Sequence, residues 1–590
     1  MSVVTNIKSA AAQTINQLYG TAVSNDSILV NATKPEFSGD YTVVLFALTK
    51  TLKKAPEKLG EEIGAQLITD HPLLFDAFNV IKGFLNLTVT ASYWQVFLQA
   101  NFNNNNFGNQ PKNNQKVMVE FASPNTNKPL HLGHLRNIFL GISMSQIFKA
   151  VGNTVVKTCI ANDRGIHICK SMVCWQLFAN GATPQSTNTK GDHFVGNYYV
   201  HFGNELKKQV AELEQQGVSK EAAEKEAPIM KQAQQMLVDW EAGKPEVVDL
   251  WKIMNSWVYE GFDVTYNRIG CAFDRVYYES ETYVLGKQLV NDGLSKGVFY
   301  KNEDGSVWID LTNDGLDEKL VQRRDGTAVY ITQDIGLAVN KYDEYGSDKS
   351  IYVVGDEQNY HFKVLKLICQ KLQLPSAAGI YHLSYGMVEL PTGRMKTREG
   401  TVVDADDIVD EMVNVARNKT EELGKVQDFL PEELANLNDT IGIGALKFYL
   451  LRVDPQRKMV FNPEESIDFH GFTAPFIQFT HARIKSILRK QQPLGTFLQP
   501  DFLPMEKNLA VLTEQYPALL LEAANDYDPS KVAIYCYNLA RTFSSFYTAH
   551  SITNAESSEK KELRLQLASI TGHVLQHGMN LLGITVPERM

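Results

Sequence analysis

The stretch from Glu120 to Asn137, EFASPNTNKPLHLGHLRN, constrains the fold of this chain more than any other segment. It begins within an apolar, β-favouring run, VMVEFAS, and leads into LRNIFLGISMSQIFKAV, whose apolar residues recur at helical spacing. This pattern predicts a strand-to-helix junction. The first turn of such a helix offers unpaired N–H groups and a positive dipole end, which together suit a phosphate. Gly133 would let a nucleotide approach the backbone, and His131 and His134 share one helix face, so the junction predicts an ATP site.

Length and charge limit the classes of protein to which the chain can belong. Its 590 residues exceed what one core usually supports, which predicts three or more domains. The 57 basic and 67 acidic residues give a net charge of -10, so any contact with RNA must be regional. The N-terminus lacks a basic segment followed by an apolar core, and no apolar run approaches membrane-spanning length. We therefore expect a cytoplasmic protein without a membrane partner.

The cysteines and one histidine raise the question of a metal site. The six cysteines are scattered without CxxC pairs, which is typical of reduced thiols in the cytosol. His167, Cys169 and Cys174 lie near Cys159 and could in principle hold zinc. Their spacing matches no ordinary zinc knuckle, and CKSMVCWQLF reads as a helix that buries small apolar residues. The sequence therefore predicts no metal site.

Changes in periodicity along the chain predict three domains. Residues 1–112 mix helices and short strands, residues 113–436 alternate strands and helices like a doubly wound sheet, and residues 437–590 are helical. Residues 101–115, an asparagine-rich tract, are expected to be a linker without buried apolar area. The central domain carries an inserted subdomain at about 170–325, with a solvated helical pair over Glu205–Gly243 and a strand over Gly305–Leu311. The predicted fold class is multidomain α/β plus all-α: an N-terminal α+β domain, a Rossmann-type catalytic domain and a C-terminal α-helical bundle.

A second motif downstream connects the chain to a known class of enzymes. GRMKTREGTVVDADDIVDEM, from Gly393 to Met412, resembles the mobile KMSKS loop of class I aminoacyl-tRNA synthetases, whose first signature the HLGH motif resembles. The blocks ASPNTNKPLHLGHLRN, ANDRGIHIC, AVYITQDIGLA and VVGDEQNYHF resemble the matching blocks of arginyl-tRNA synthetases. The resemblance runs from the first domain to the closing LLGITVPERM and covers nearly the whole chain.

The resemblance implies an arginine–tRNA ligase. Such an enzyme activates L-arginine with ATP to form arginyl-adenylate and transfers the arginine to the 3′-terminal adenosine of tRNA(Arg). The implied ligands are ATP with Mg2+, L-arginine and tRNA(Arg), with magnesium carried as MgATP rather than in a protein cage. The N-terminal domain would contact the tRNA elbow and the C-terminal domain the anticodon. We expect a monomer.

The resemblance also assigns catalytic and ATP-binding residues. His131, His134 and Lys128 come from the first signature region, and Lys396 and Arg398 from the second. Thr397 stands where most class I enzymes carry a catalytic lysine, and in arginyl enzymes a lysine just before the first signature, here Lys128, supplies the missing charge. The expected ATP-binding positions are Pro129, Leu130, His131, Gly133, His134, Met387, Val388 and Met395.

Selection of arginine needs anions that meet a flat, permanently charged guanidinium. Tyr330 and Asp334 lie one helical turn apart, so both can point into one pocket. The arginine-binding positions implied by the resemblance are Glu120, Ser123, Asn125, Tyr330, Asp334 and Gln358. His167 stands where many relatives have glutamine, and both a substrate contact and a buried structural role stay open.

The helical domain offers candidate tRNA contacts. Cys536, Leu539, Phe543 and Phe546 recur at core spacing, which predicts packing rather than binding. Tyr537 and Arg541 share another face, and Phe479 and Arg483 form a similar pair, so these four are the predicted tRNA-binding residues.

Two alternatives to the ligase remain open. One is a small-molecule adenylyltransferase, which also uses HxGH, although the helical domain and the length of the chain argue against it. The other is a catalytically silent paralogue that only binds tRNA, and the complete set of arginine positions argues against that.

Overall fold

A computed structural model describes residues 2–34, 36–283, 285–389, 403–422, 428–495 and 501–590 of the chain. The α-helices of these residues are α1 (Val3–Tyr19), α2 (Phe46–Leu52), α3 (Pro56–Asp70), α4 (Ala91–Asn101), α5 (Leu132–Ala150), α6 (Ile166–Phe178), α7 (Pro184–Thr187), α8 (Gly191–Gln215), α9 (Lys220–Glu226), α10 (Pro228–Glu241), α11 (Pro245–Ile269), α12 (Glu279–Thr282), α13 (Lys287–Ser295), α14 (Tyr330–Tyr345), α15 (Asn359–Lys371), α16 (Ala405–Glu422), α17 (Pro431–Leu451), α18 (Pro463–Ser466), α19 (Ala474–Lys490), α20 (Pro504–Glu514), α21 (Tyr516–Asp526), α22 (Ser530–Ala549) and α23 (Ser558–Leu581). The strands are β1 (Leu29–Ala32), β2 (Tyr41–Val44), β3 (Phe75–Ile81), β4 (Phe84–Val89), β5 (Lys116–Glu120), β6 (Thr154–Ala161), β7 (Arg275–Tyr278), β8 (Tyr300–Lys301), β9 (Val307–Ile309), β10 (Lys319–Gln322), β11 (Lys349–Gly355), β12 (Ile380–Tyr385), β13 (Val388–Glu389) and β14 (Met459–Val460).

The central sheet is parallel throughout, with strand order β12-β11-β5-β6-β7. The chain proceeds from β5 outward through β6 to β7 and later adds β11 and β12 on the other side of β5. The strand order therefore reverses between β5 and β11, and ligands of open α/β sheets bind at the carboxyl ends of such a pair. The Rossmann-type catalytic domain predicted from the sequence is confirmed, and its reversal point lies at Glu120, the last residue of β5.

The N-terminal region contains a four-stranded antiparallel sheet in the order β1-β2-β4-β3, and helix α3 packs on it. It is tied to the C-terminal helices through the buried Glu514, which accepts hydrogen bonds from Val3 N (2.6 Å) and Tyr41 Oη (3.1 Å). Lys507 lies 2.8 Å from Asp40 in the same interface. The predicted α+β fold is confirmed, and it is held directly against the helical domain.

The asparagine-rich tract is packed rather than free. Ser569 Oγ donates to Phe102 O at 2.7 Å, and His577 Nε2 lies 3.1 Å from Asn109 Oδ1. The Phe107 ring packs beside that of Tyr516. The prediction that this tract buries no apolar area is therefore wrong, because Phe107 packs against the core that includes Tyr516.

The insertion is more helical than predicted. The region Glu205–Gly243 holds the end of α8 together with α9 and α10, so the predicted helical pair is wrong. Pro228 at the first position of α10 starts the third helix of this region, where the prediction had two. The strand predicted over Gly305–Leu311 is confirmed at its centre as β9, in an antiparallel sheet with β8 and β10.

The C-terminal helices pack as a bundle in which α19, α22 and α23 contact one another. The predicted core residues Cys536, Leu539, Phe543 and Phe546 are all fully buried. Helix α17 begins at Pro431, so residues 431–436 belong to the helix that contains residue 437. The six cysteines are buried and free, and no described helix combines the length and apolarity that crossing a membrane requires.

Candidate active site

The two signature histidines cap the first turn of α5 reciprocally. His131 is the N-cap residue, and its Nδ1 accepts a hydrogen bond from Gly133 N at 3.1 Å. The backbone N–H of His131 in turn donates to His134 Nδ1 at 3.1 Å. Each Nδ1 acts as an acceptor, so a neutral ring carries its proton on Nε2. The ring centroids are 3.9 Å apart, which places two N–H donors side by side.

Burial keeps both imidazoles neutral. Desolvation, assisted by the positive charge of Lys128, lowers the pKa of His131 to about 4. Desolvation also holds the pKa of His134 well below its usual value, with His131 and Lys128 adding to the effect. Neither Nε2 has a hydrogen-bond partner in the described part of the chain. Lys128, half-buried beside them, forms no ion pair there either, so its ammonium and the two donors are available to an anion.

Glu120 lies at the carboxyl end of β5 and is only 7% exposed. Its Oε2 accepts a hydrogen bond from Lys341, whose side chain is fully buried. The Lys341 ammonium also lies over the rings of Tyr277 and Tyr352, at 5.2 and 5.3 Å from their centroids. Oε2 of Glu120 is therefore paired with the Lys341 ammonium, a partner that the sequence analysis missed. Oε1 has no partner among the described residues.

Asp334 lies in α14, one turn after Tyr330, which is the first residue of that helix. The carboxylate of Asp334 lies 2.6 Å from His361 Nε2. Tyr330 is 73% exposed and lies at the protein surface. Burial raises the pKa of Tyr352 well above its usual value, and the charges of Glu120 and Asp334 add to that increase. Both carboxylates thus act electrostatically on Tyr352. We refer to the pair of carboxylates of Glu120 and Asp334 as the acidic slot.

The loop after β5 brings two more predicted residues to the same edge of the sheet. Ala122 and Ser123 have φ of 74° and 45°, a strained conformation for residues with side chains. Asn162 Nδ2 donates to Ser123 O at 3.1 Å, and the backbones of Asn125 and Asn162 form a parallel bridge. Gln358 ends the short turn that follows β11. All six predicted arginine positions thus lie near the carboxyl ends of β5 and β11 or on the adjacent α14.

Glu279 is an acidic residue of this region that the sequence analysis missed. It is the first residue of α12, directly after β7, and its carboxylate has no hydrogen bond or ion pair within the described residues. Burial raises its pKa, Arg164 counteracts that shift, and the charges of Asp163 and Asp334 add to it. The signal that could have revealed it is an acid directly after a predicted strand, because the carboxyl ends of parallel strands share one edge.

His167 occupies an exposed position on α6, and its Nδ1 lies 3.2 Å from Tyr199 Oη of α8. The alternative of a buried structural role is therefore wrong. The zinc alternative gains no support, since the described residues bring together one group of three potential ligands, Asp192, His193 and Asp406.

The second signature falls largely outside the described residues, which resume at Val403. The predicted residues Met395, Lys396 and Arg398 lie outside the described residues. The segment that follows lies against the first signature: Leu132 N donates to Val403 O at 3.3 Å, and Ala405 N donates to Leu130 O at 3.0 Å.

The predicted ATP positions Met387 and Val388 lie beside α5. The side chain of Val388 is buried, and the fully buried Arg136 of α5 donates to Gly386 O at 2.5 Å and to Arg457 O at 2.9 Å. Arg136 thereby ties the start of β13 to the helix that carries both signature histidines.

A separate cleft of 450 Å³ lies in the C-terminal domain. The guanidinium of Arg483 lies 4.8 Å from the ring centroid of Phe479 and 5.2 Å from that of Tyr547. The residues that line the cleft are Asp428, Phe429, Phe479, Ala482, Arg483, Ser486, Ile487, Arg489, Lys490, Tyr547, Thr553, Arg589 and Met590. Four of them are cationic and three are aromatic, a combination that suits unpaired nucleotides.

The other two predicted tRNA residues lie elsewhere. Tyr537 packs against Phe472 and Phe476, with ring centroids 4.8 and 5.5 Å apart, and Arg541 lies over the Tyr537 ring. The cleft thus brings together Phe479 and Arg483 but not Tyr537 and Arg541.

Comparison with known proteins gives consistent matches along the whole chain. Residues 97–462 match the model described as tRNA synthetases class I (R), catalytic domain. Residues 477–590 match the DALR anticodon binding domain, and residues 5–89 match the arginyl tRNA synthetase N terminal domain. A relative from Parabacteroides distasonis, named arginine–tRNA ligase, is 50% identical over 100% of both chains. A relative of the same name from Bacteroides thetaiotaomicron is 48% identical over 98% of each chain.

Solved structures match in fold. The arginyl-tRNA synthetase of Thermus thermophilus has a TM-score of 0.79 at 23% identity and covers 99% of each chain. That of Plasmodium falciparum has a TM-score of 0.77 at 18% identity, over 100% of this chain and 99% of the other.

Proposed function

The chain belongs to the arginyl-tRNA synthetase family of class I aminoacyl-tRNA synthetases, and from this we propose that it ligates L-arginine to tRNA(Arg) at the expense of ATP. One observation carries the proposal beyond family membership. Two neutral imidazole donors, His131 and His134, and the acidic slot of Glu120 and Asp334 belong to the same carboxyl edge of one parallel sheet. That arrangement suits a triphosphate beside a side-chain cation, which the first step of such a ligase requires.

In the activation step the carboxylate of arginine attacks the α-phosphorus of ATP, and pyrophosphate leaves. Catalysis then consists of alignment and of stabilising negative charge on the phosphoryl oxygens. His131 and His134 donate Nε2–H hydrogen bonds to those oxygens, and Lys128 adds a positive charge. Lys396 and Arg398 of the second signature supply further cations in this proposal. Since the donors are preoriented by their hydrogen bonds to backbone N–H groups, they need no reorganisation as charge develops.

The nucleotide lies along the start of α5. Pro129, Leu130 and Gly133 line its path, and Met387, Val388 and Met395 contact the adenosine, with Val388 acting through its backbone because its side chain is buried. The one cluster of three potential ligands in the described residues, Asp192, His193 and Asp406, is already bound by Lys190. We therefore propose that magnesium enters as MgATP, where it neutralises phosphate charge.

Arginine binds in the acidic slot. Its guanidinium donates hydrogen bonds to Glu120 Oε1 and to Asp334, and Tyr330 lies at the entrance of the slot. Glu279 adds the negative charge of a third carboxylate near the guanidinium. Ser123, Asn125 and Gln358 hold the α-amino and carboxylate groups. A lysine ammonium is compact and lacks the planar set of N–H donors with which a guanidinium contacts both carboxylates. Lysine would therefore leave one buried acceptor unpaired, which costs about 1 to 3 kcal/mol.

The tRNA reaches this site with its 3′ end while its anticodon contacts the C-terminal domain. We propose that Phe479 and Arg483 bind anticodon nucleotides in the cleft and that Tyr537 and Arg541 contribute from the neighbouring face. The 2′-hydroxyl of the terminal adenosine then accepts the arginine. The proposed protein is a cytoplasmic monomer with domains over residues 1–112, 113–436 and 437–590, the central one carrying the insertion at about 170–325. The boundary between the second and third domains lies within α17, which begins at Pro431.

Removing the cleft arginine should weaken tRNA binding. Arg483→Ala is expected to raise the KM for tRNA about tenfold, because it deletes a guanidinium that lines the cleft and lies near the rings of Phe479 and Tyr547. Arg541→Ala, which removes an arginine outside the cleft, should change it less. Aminoacylation rates at varied tRNA concentration measure both. An equal or larger effect of Arg541→Ala would contradict the placement of the anticodon in this cleft.

The neutral histidines predict an unusual pH dependence. The pKa of His131 is lowered to about 4, so activation should show no loss from imidazole protonation between pH 7 and pH 5.5. The sign for stability follows from linkage: the unfolded chain binds more protons between pH 6.5 and 4, so the contribution of His131 is complete above 6.5 and is lost as the pH falls toward 4.

Pyrophosphate exchange and unfolding free energies of wild type and His131→Asn, measured across this range, test the prediction. Wild type should lose stability on acidification relative to the variant. An activity decline in wild type with a midpoint near 6.5 that is absent from His131→Asn would contradict it.

The proposed function is tested by ATP–pyrophosphate exchange with each amino acid, with and without tRNA. Exchange should depend on arginine and should require tRNA(Arg), as the resemblance to arginyl enzymes implies. Exchange with lysine or glutamine instead would overturn the assignment of the substrate.

A further inference from the structure

We propose that the start of α8, residues 190–196, is a positioning element that holds the two ATP-binding signature regions against each other. The proposal rests on the proposed function and adds a role for the insertion, to which α8 belongs. Three sets of contacts carry it: side chains that bind Asp404 and Asp406, a backbone pairing between residues 403–405 and 130–132, and a glycine that packs on Lys128 and Pro129.

Lys190 is the centre of the first set. Its Nζ donates to Asp406 Oδ2 at 2.6 Å, to Thr265 Oγ1 at 2.6 Å and to Asp192 Oδ2 at 3.1 Å. Thr265 Oγ1 donates onward to Asp406 Oδ1 at 2.9 Å, so both oxygens of that carboxylate are held. Because the groups are largely buried, these bonds are screened less by solvent than surface pairs.

His193, one turn after Lys190, contacts the same segment. Its Nε2 lies 3.2 Å from Asp404 Oδ2 and 3.3 Å from Asp406 Oδ2. The carboxylates of Asp404 and then Asp406 raise the pKa of His193 to about 10, so the ring is a cation at neutral pH. Two cations from residues 190–196 therefore face two carboxylates from residues 404–406, and the carboxyl group of Asp192, 3.1 Å from Lys190, completes the cluster.

Residues 403–405 pass this restraint to the first signature. Leu132 N donates to Val403 O, Ala405 N donates to Leu130 O, and His131 and Asp404 form an antiparallel bridge. The bridge includes the N-cap residue of α5, whose imidazole is one of the two proposed phosphate donors. A displacement of Asp404 would therefore shift the backbone of His131.

Gly196 makes the second, independent contact with the ATP region. A Cβ at this position would lie 2.7 Å from Pro129 Cδ and 3.5 Å from Lys128 Cα, so α8 approaches the backbone beside Lys128 as closely as a glycine allows. The helix itself is fixed on α11, where a Cβ on Gly191 would lie 1.8 Å from Trp257 O. The start of α8 thus contacts Lys128 and Pro129 with one turn and Asp404 and Asp406 with the preceding one.

The geometry favours positioning over metal binding. Asp192, His193 and Asp406 could form part of a cation site, but Lys190 already places an ammonium among them. The Lys190 ammonium therefore takes the place of a metal ion in this cluster. We propose that the cluster affects ATP binding by positioning residues 128–132 and 403–405. Misplacing catalytic groups by about 1 Å can cost up to about a hundredfold in rate.

The test uses three variants and a matched control in the full-length enzyme. Lys190→Met removes the ammonium, His193→Gln removes the second cation, and Gly196→Ala adds one methyl group against Pro129. The control is Arg268→Gln, because Arg268 of α11 pairs with Asp410 of α16 at 2.5 Å and so joins the insertion to α16 without touching residues 403–406. Arginine-dependent pyrophosphate exchange gives kcat and the KM values for ATP and for arginine, and Lys190→Arg tests rescue.

We expect Lys190→Met and Gly196→Ala each to lower kcat/KM for ATP about tenfold or more, with the KM for arginine within about twofold of wild type. His193→Gln should have a smaller effect of the same kind, Lys190→Arg should recover part of the loss, and Arg268→Gln should change neither constant by more than about twofold. Equal shifts for ATP and arginine, or an equal effect of Arg268→Gln, would overturn the proposal. If Lys190→Met fails to fold, Gly196→Ala and His193→Gln decide the matter. Absence of arginine-dependent exchange in wild type would instead refute the proposed function.

Discussion

Asp334→Asn is expected to raise the KM for arginine about a hundredfold, which corresponds to about 3 kcal/mol, while the KM for ATP stays within about twofold. The substitution keeps the size of the side chain but replaces a charged acceptor by an amide whose N–H groups face the donors of the guanidinium. Once arginine closes over the half-exposed Asp334, the lost charge pair is a desolvated one, so the penalty exceeds that of a surface ion pair. Steady-state pyrophosphate exchange at varied arginine and ATP gives both constants.

The same helix provides the control. Asp343 lies in α14 on an exposed position, so Asp343→Asn makes the same chemical change outside the acidic slot. It should leave both KM values unchanged. Parallel increases in the two KM values of Asp334→Asn would mean that Asp334 supports the whole site rather than the side chain of the substrate.

His134→Ala is expected to lower kcat for activation about a hundredfold to a thousandfold, the usual loss when a preoriented donor to a developing oxyanion is removed. The imidazole has a second role, since its Nδ1 accepts the His131 N–H and completes the cap of α5. Loss of a cap costs about 1 kcal/mol of stability. His134→Asn separates the roles, because an amide oxygen can still accept that N–H while the Nε2 donor is gone.

Both variants should therefore lose activity, and His134→Asn should retain more of the thermal stability. His577→Asn is the control, being a histidine of the C-terminal domain whose pKa is likewise lowered by burial. Single-turnover formation of adenylate measures the chemical step. If His134→Asn kept most of the wild-type rate, His134 would be a capping residue and not a phosphate donor.

Local patterns were enough to predict the elements that carry the site. The β-favouring run before Glu120 and the helical periodicity after His131 place β5 and α5 where the structure has them, because both depend on neighbours in sequence. Likewise, Tyr330 and Asp334 at helical spacing do lie one turn apart in α14.

Contacts between distant segments could not be predicted in the same way. Lys341 of α14 donates a hydrogen bond to Glu120 of β5 across 221 residues of sequence, a contact that periodicity does not specify. Glu279 of α12 is influenced by the charge of Asp334 for a similar reason, since α12 and α14 come into contact only in the folded protein. The pairing of Lys190 with Asp406 depends on how the insertion folds back over the catalytic domain. In each case the residue types were visible, but their partners were set by tertiary packing.

The most direct measurement is a crystal structure of the protein with a nonhydrolysable arginyl-adenylate analogue. We expect the guanidinium to lie about 3 Å from the carboxylates of Glu120 and Asp334, and the Nε2 atoms of His131 and His134 to face the group that replaces the α-phosphate at a similar distance. A guanidinium bound away from both carboxylates, or Lys128 and Glu120 opening into separate cavities, would contradict the proposed site.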